Sequence, residues 1–466
     1  MGRQRVTATN DPDRGARPPR GDGGRAARPM QPRLDVPEAA ARSPLREAAV
    51  LSLLLVVAAA ATSANDGWPD WRGPTLNRSV DASGLPVAWS ESENLCWKTA
   101  LPDRSGATPI VSQGTIFLNV GEGEQLELWA LDERDGSLRW KRAIGAGNER
   151  KHKQNMSSPS PVSDGEHVWV LTGTGVVKAF DFAGQEVWKR DLQEDYGDFG
   201  LNWGYASSPF LHRGVLYVQV LHGMRTDDPS YVVAIEAESG DNRWRVERPT
   251  DARAESPDSY TTPALLQRGA GELVISGGDY VTGHALDDGR ELWRVGGLNP
   301  EKHGMYRVVA SPVVVGRTIF VPSRVRPLLA LRAESEEYGA EPEVLFELDR
   351  GTDVPTPAAN QDYLFVLSDN GILRRIDAKT GEETWDEPQR LAQGNYSASP
   401  LLADGKLYAT SEDGVTSVVA AYGDFEELAV NKLEGFTLSS LAVSRGRIYQ
   451  RTDQALYCIG GASEVP

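Results

Sequence analysis

Cysteine and histidine are scarce, at two and six among 466 residues. The two cysteines, Cys96 and Cys458, stand at opposite ends of the chain. His152, His167, His212, His222, His284 and His303 show neither H-E-x-x-H nor another ligand spacing, which argues against a zinc site. No G-x-S-x-G nucleophile elbow occurs. Gly173-Thr174-Gly175 lacks the third glycine of a dinucleotide fingerprint and reads as a hairpin turn. Positive charge is also short. With 49 Lys and Arg against 66 Asp and Glu, the formal charge is -17, and the clustered basic surface that a nucleic-acid partner requires is missing. The marked apolar run, 48–61, is 14 residues long, below the roughly 20 of a bilayer span.

That run is followed by Thr62-Ser63-Ala64, small residues suited to a signal peptidase, so residues 48–64 read as a secretory signal cleaved after Ala64. An uncleaved anchor is the alternative. Residues 1–47 are an Arg/Gly/Pro-rich extension with too little apolar surface to fold, and Met30 would make a more ordinary start. No cysteine follows the apolar run, so no lipid-modified cysteine is expected. The mature chain is predicted to be an exported, periplasmic or otherwise extracytoplasmic protein without a transmembrane span.

What the sequence has in abundance is repetition. A Ser/Thr-Pro followed by apolar residues, a short turn and a β-branched or aromatic strand recurs at Thr108-Pro109, in Ser158-Pro159-Ser160-Pro161, and at Ser208, Thr262, Ser311, Thr356 and Ser399, with a degenerate copy at Ser439-Ser440-Leu441. Between these copies lies a second hairpin, an acidic turn ending in Gly and a strand closing on an aromatic residue. The closing residues are Trp97, Trp140, Trp188, Trp244, Trp293, Phe346 and Trp385, with Leu428 in the weakest unit. Acidic residues at the turn and Gly where a positive φ is wanted are hairpin chemistry. Two hairpins per unit in eight units predict an all-β fold, an eight-bladed β-propeller of four-stranded antiparallel blades. Trp97 precedes the first unit and the last unit ends without a closing strand, so Asn94 to Lys98 should complete the last blade and close the ring. The expected organisation is a leader at 65–93, the ring at 94–460 and a tail at 461–466, with the ring a monomer.

The repeated Ser/Thr-Pro and T-G-x-x-x-W-like copies resemble the PQQ-binding-like repeat family, which includes quinoprotein alcohol dehydrogenases and the propeller lipoproteins of outer-membrane assembly. The leader W-P-D-W-R-G-P, from Trp68 to Pro74, is similar to the start of a large exported branch of that family. The resemblance implies either a non-catalytic scaffold that binds an envelope protein, peptide or glycan, or a dehydrogenase holding PQQ and calcium in the central funnel. The adjacent cysteines, calcium ligands and Asp base of the dehydrogenases match no motif here. The first reading, without a cofactor, is therefore the expectation.

Function in a propeller sits on loops. From closing aromatic to the next Ser/Thr-Pro proline the offsets are 21, 21, 19 and 19 residues after units one to four, but 11 and 15 after Phe346 and Trp385. Half of one face is therefore built up. The candidate binding residues on it are His152, Lys153 and Asn155, Trp203 and Tyr205, Tyr260, and His303, Tyr306 and Arg307, joined by His222 and Arg225. Trp203 falls outside the closing-aromatic register. Aligning the last blade with the hairpin ending at Trp140 places Cys458 at the position of Ala130 and Cys96 at that of Arg139. If these positions face each other, the two cysteines form a disulfide that ties the ring shut. The other reading is two buried thiols.

Overall fold

A computed structural model describes residues 67–324 and 327–460. The N-terminal extension, the apolar run with its cleavage site, and the tail lie outside the described residues. Each repeat folds as one antiparallel four-stranded sheet, eight in all. Blade 1 is typical: Ile110–Ser112, Thr115–Glu122, Gln125–Asp132 and Leu138–Ala146 follow one another from the axis outwards. Inner strands are buried on both faces and carry runs such as Val215–Val220, while the outer strands alternate towards solvent. The one α-helix among the described residues is Leu192–Tyr196, whose first turn is capped by the Asp191 carboxylate. No helix of the described chain is long and apolar enough to cross a membrane.

Leu95–Ala100 pairs antiparallel with Ala455–Ile459 and completes blade 8, so the ring closes with strands from both ends of the chain. Four of the closing tryptophans hydrogen-bond across to the next blade, whereas Trp293 donates to Glu272 of its own blade. The indole N–H of Trp97, Trp140, Trp188 and Trp244 donates to the backbone carbonyl of Glu133, Phe182, Ala237 and Leu286, each in the outer hairpin of the following blade. The turn glycine of that hairpin packs on the same ring. Gly240, at φ 79°, is one case: a Cβ there would lie 2.8 Å from Cδ2 of Trp188, so it needs both a left-handed backbone and the missing side chain.

One rule of the outer hairpin corrects the predicted disulfide. Before the closing aromatic, one residue is bulged out of the ladder: Ala130 faces Trp140 while Leu131 faces Leu138, leaving Arg139 unpaired. The same shift occurs in blades 2, 3, 4, 5, 7 and 8. Cys96 takes the place of Arg139 and Cys458 that of Ala130, but the bulge sets Trp97 opposite Cys458. The cysteines are free thiols. A hydrogen bond from Cys458, with Arg447 nearby, brings the Cys96 thiol down to about 6, whereas that bond and burial push Cys458 upward. The bulge also corrects the closing residue of blade 7. Ala429 faces Val418, and Leu428 is the bulged residue before it. Blade 6 departs from the rule. Ile376 faces Glu383, and its outer strand shrinks to Gln389–Arg390.

The leader closes one end of the axis. Trp68 bridges Val111 of blade 1, and the Pro69 carbonyl accepts from Ser163 of blade 2. Arg72, fully buried, donates to the carbonyls of Pro263 and Pro312, the repeat prolines of blades 4 and 5. Arg78, also fully buried, reaches Pro400 at 3.3 Å, Leu441 at 2.8 Å and the Trp71 carbonyl at 2.6 Å. Burial lowers its guanidinium to about 9, so it stays charged at neutral pH. Beyond it, Ser79–Val80 adds a parallel strand to blade 7. Proline offers a carbonyl and no N–H, and the two arginines supply the donors that these buried carbonyls would otherwise lack.

Candidate functional site

At the other end of the axis the ring opens into a blind funnel of about 490 Å³, floored in part by Trp71. Its wall begins with the repeat hydroxyls. The amide of Thr108 donates to Oγ of Ser160, and that of Ser160 to Oγ of Ser208; the relay continues through Thr262, Ser311, Thr356 and Ser399 to Ser440, with every link between 2.9 and 3.1 Å. Blades 8 and 1 are joined instead by Ser439 Oγ, which donates to the Ala107 carbonyl at 2.9 Å. The repeat Ser/Thr is thus a blade-to-blade coupling whose hydroxyl also faces the funnel.

Above this ring the long loops form the mouth. Of the candidate residues, His152, Lys153, Trp203, Tyr260 and Arg307 line the funnel. Trp203 is 39% exposed, yet its position is set from three sides. Its indole N–H donates to Glu255 at 2.5 Å, its amide to the Tyr260 hydroxyl at 3.0 Å, and its carbonyl accepts from Gln154 at 2.6 Å. His152 meets it edge-on at 5.5 Å. Lys153 pairs with the buried carboxylate of Glu412 at 2.5 Å, which also accepts from Ser397. Arg307 holds Asp353 through two bonds, at 3.0 and 3.2 Å.

The other candidates lie off the funnel. Asn155 is buried and caps its own turn, binding Ser157 and the Arg104 carbonyl. Tyr205 is buried and donates to the Gln219 carbonyl. His222 is buried and accepts from the Gly200 amide through Nδ1, with burial lowering its pKa. Arg225 ties Asn202 at the surface, and His303 packs on Tyr306 at 4.7 Å. Several lining residues carried no sequence signal: Trp71 from the leader, and Asp353, Asp369 and Ser397 from the short-looped half. Burial raises the Asp369 carboxyl, and Asp353 beside it adds to the rise while Lys153 opposes it. Asp258, under the same loops, is raised to about 6 by burial.

A closed ring of eight such blades with a blind axial funnel defines the repeat propellers. The family model described as outer membrane protein assembly factor BamB matches residues 78–175, 173–337 and 341–426, and the chain belongs to that family. Among solved structures it is similar to BamB from Moraxella catarrhalis, at 13% identity over 78% of this chain and 98% of that one, with a TM-score of 0.56. It is similar also to the quinohemoprotein alcohol dehydrogenase of Comamonas testosteroni, at 13% identity over 87% and 82%, with a TM-score of 0.58. A europium-containing methanol dehydrogenase matches at 11% identity over 84% and 91%, with a TM-score of 0.60. At these identities the likeness shows the fold alone. No curated protein matches the chain.

The dehydrogenase likeness raises the question of a metal-held quinone, and the lining does not fit one. Both cysteines belong to the outer hairpin of blade 8 rather than to the funnel. Among the described residues no three His, Cys, Asp or Glu side chains converge as a metal site. The cations Lys153 and Arg307 are each engaged by a carboxylate.

Proposed function

We propose that this protein is an exported, non-catalytic propeller of the cell envelope that captures a partner polypeptide at the mouth of its funnel. The observation that carries the reading is Trp203, an exposed indole held in place by Glu255, Tyr260 and Gln154. A large aromatic fixed before binding gives contact area at little entropic cost, which is how interface anchors work. Met224 and Met305, 40% and 43% exposed on loops of the same face, extend the apolar surface around it. Membership in a family described by outer-membrane assembly supports an envelope setting.

The test is a double variant, Trp203→Ala with His152→Ala, in the exported chain. Partner recovery should fall at least tenfold while the unfolding midpoint stays within a few degrees. Uptake of PQQ and calcium by the purified protein, with dye-linked dehydrogenase activity, would overturn the reading in favour of an oxidoreductase.

A further inference from the structure

The floor of the funnel has chemistry that a protein partner at the mouth does not use. In seven of the eight repeat hydroxyls one lone pair is taken by an amide of the preceding blade. None of the eight donates its own proton to a protein acceptor among the described residues. All are buried, at most 7% exposed, and all line the cavity. A hydroxyl carries one proton, so the floor presents a ring of O–H donors without acceptors. The indole N–H of Trp71, in the same floor, is buried and also has no partner.

We propose that the funnel floor binds a small ring compound bearing an oxyanion group, a carboxylate or a sulfate ester, with an acidic sugar as its simplest class. An oxyanion oxygen accepts several hydrogen bonds and brings no proton, so a floor made of donors suits it better than it suits a neutral polyol. Lys151, Lys153 and Arg307 stand above the ring, each already paired with a carboxylate, Glu149, Glu412 and Asp353 in turn, so they offset the acidic wall and the hydroxyl donors carry the recognition. Arg307 offsets Asp353 directly, and Asp369 lies in the field of Lys153. Trp71 and Tyr260 provide the apolar surface for a ring. A volume of about 490 Å³ falls within the roughly 300–1,000 Å³ of small-molecule sites. The chain's overall charge of -17 does not attract anions, so recognition here is by short-range donors rather than by a long-range field. The inference does not rest on partner capture, and either can fail without the other.

The test is calorimetric titration of the purified mature chain with galacturonate, inorganic sulfate and galactose. Galacturonate should bind at least tenfold more tightly than galactose, and sulfate should compete with it. Sulfate binding as tightly as galacturonate would identify the free ion as sufficient ligand, still through the oxyanion. Equal affinity for galacturonate and galactose, or no binding of either anion at millimolar concentration, would overturn the proposal. Ser311→Ala should weaken galacturonate at least fivefold and Ser311→Thr should restore it, since threonine occupies equivalent positions at Thr108, Thr262 and Thr356. If Ser311→Ala does not fold, Ser399→Ala replaces it. Wild-type affinity in a folded alanine variant would exclude the hydroxyl ring as the site.

Discussion

The floor and the rim of the funnel are built on different principles. The floor repeats one device around the axis: a buried Ser or Thr accepts the amide of the blade before it, and the following proline carbonyls on three blades are capped by Arg72 or Arg78. The rim is built once and on one side, where long loops carry Trp203 and His152 over exposed surface while the blades opposite contribute short turns. A group on the floor therefore serves the ring and the cavity together. A group on the rim can change without disturbing the ring. The pairing of Lys153 with Glu412 and of Arg307 with Asp353 connects the two halves of the mouth.

The largest effect is expected in the frame that holds the floor. Trp244→Ala removes a buried indole, its packing on the Gly289 turn and its bond to the Leu286 carbonyl. It should cost about 3–5 kcal/mol by denaturant midpoint. A loss under about 1 kcal/mol would mean that closing aromatics do not couple the blades.

Next comes the leader. Arg78→Ala leaves the carbonyls of Pro400, Leu441 and Trp71 without their donor, for a loss on the order of 2–3 kcal/mol. Limited proteolysis should then cut residues 67–80 before the blades. Simultaneous loss of both would show that the leader is part of the ring's cooperative unit.

The sharpest contrast is between near neighbours. Tyr205→Phe removes a buried hydroxyl bond and should cost about 1 kcal/mol. Trp203→Ala, two residues away, takes one donor from the buried Glu255, which keeps Asn202 as a donor at 3.3 Å, so it should cost no more than about 1 kcal/mol and act chiefly on capture. If Trp203→Ala is the more destabilising of the two, the rim is not independent of the frame.

The smallest effect touches neither part. Cys96 ionises at about 6, below the roughly 8.5 of an ordinary thiol. Its alkylation rate should therefore rise through pH 6 and level off by neutrality, as the thiolate fraction saturates. Cys458, buried and pushed upward, should react only on unfolding. Two thiols that titrate alike would contradict the asymmetry of the bulge.

Much of the frame was legible because it repeats. Eight Ser/Thr-Pro copies announce eight inner strands, and a lone Trp97 before the first unit announces the strand missing from the last. The bulge was not legible. One extra residue before the closing position in seven of the blades leaves their spacing constant, so only the pairing reveals it, and the facing of Cys96 and Cys458 depended on it. Loop lengths pointed to the built-up half of the rim, and five of the residues named there line the funnel. Asn155, Tyr205 and His222 have the same polar and aromatic character but are turned to backbone groups of the surrounding loops and strands, those of Arg104, Gln219 and Gly200. That difference lies in direction rather than composition. Trp71 and Arg72 precede every repeat, and nothing in their local pattern says that the leader folds back across the axis.

The account's central claim is that the mouth of the funnel is where a partner is held. A photo-crosslinking residue placed at Trp203 in the exported chain tests it most directly, against the same residue at Gln361, an exposed turn position on the opposite face. The account predicts a discrete crosslinked polypeptide from position 203, abolished by excess unmodified protein, and none from position 361. Equal crosslinking at both positions, or none at 203 above background, would contradict it.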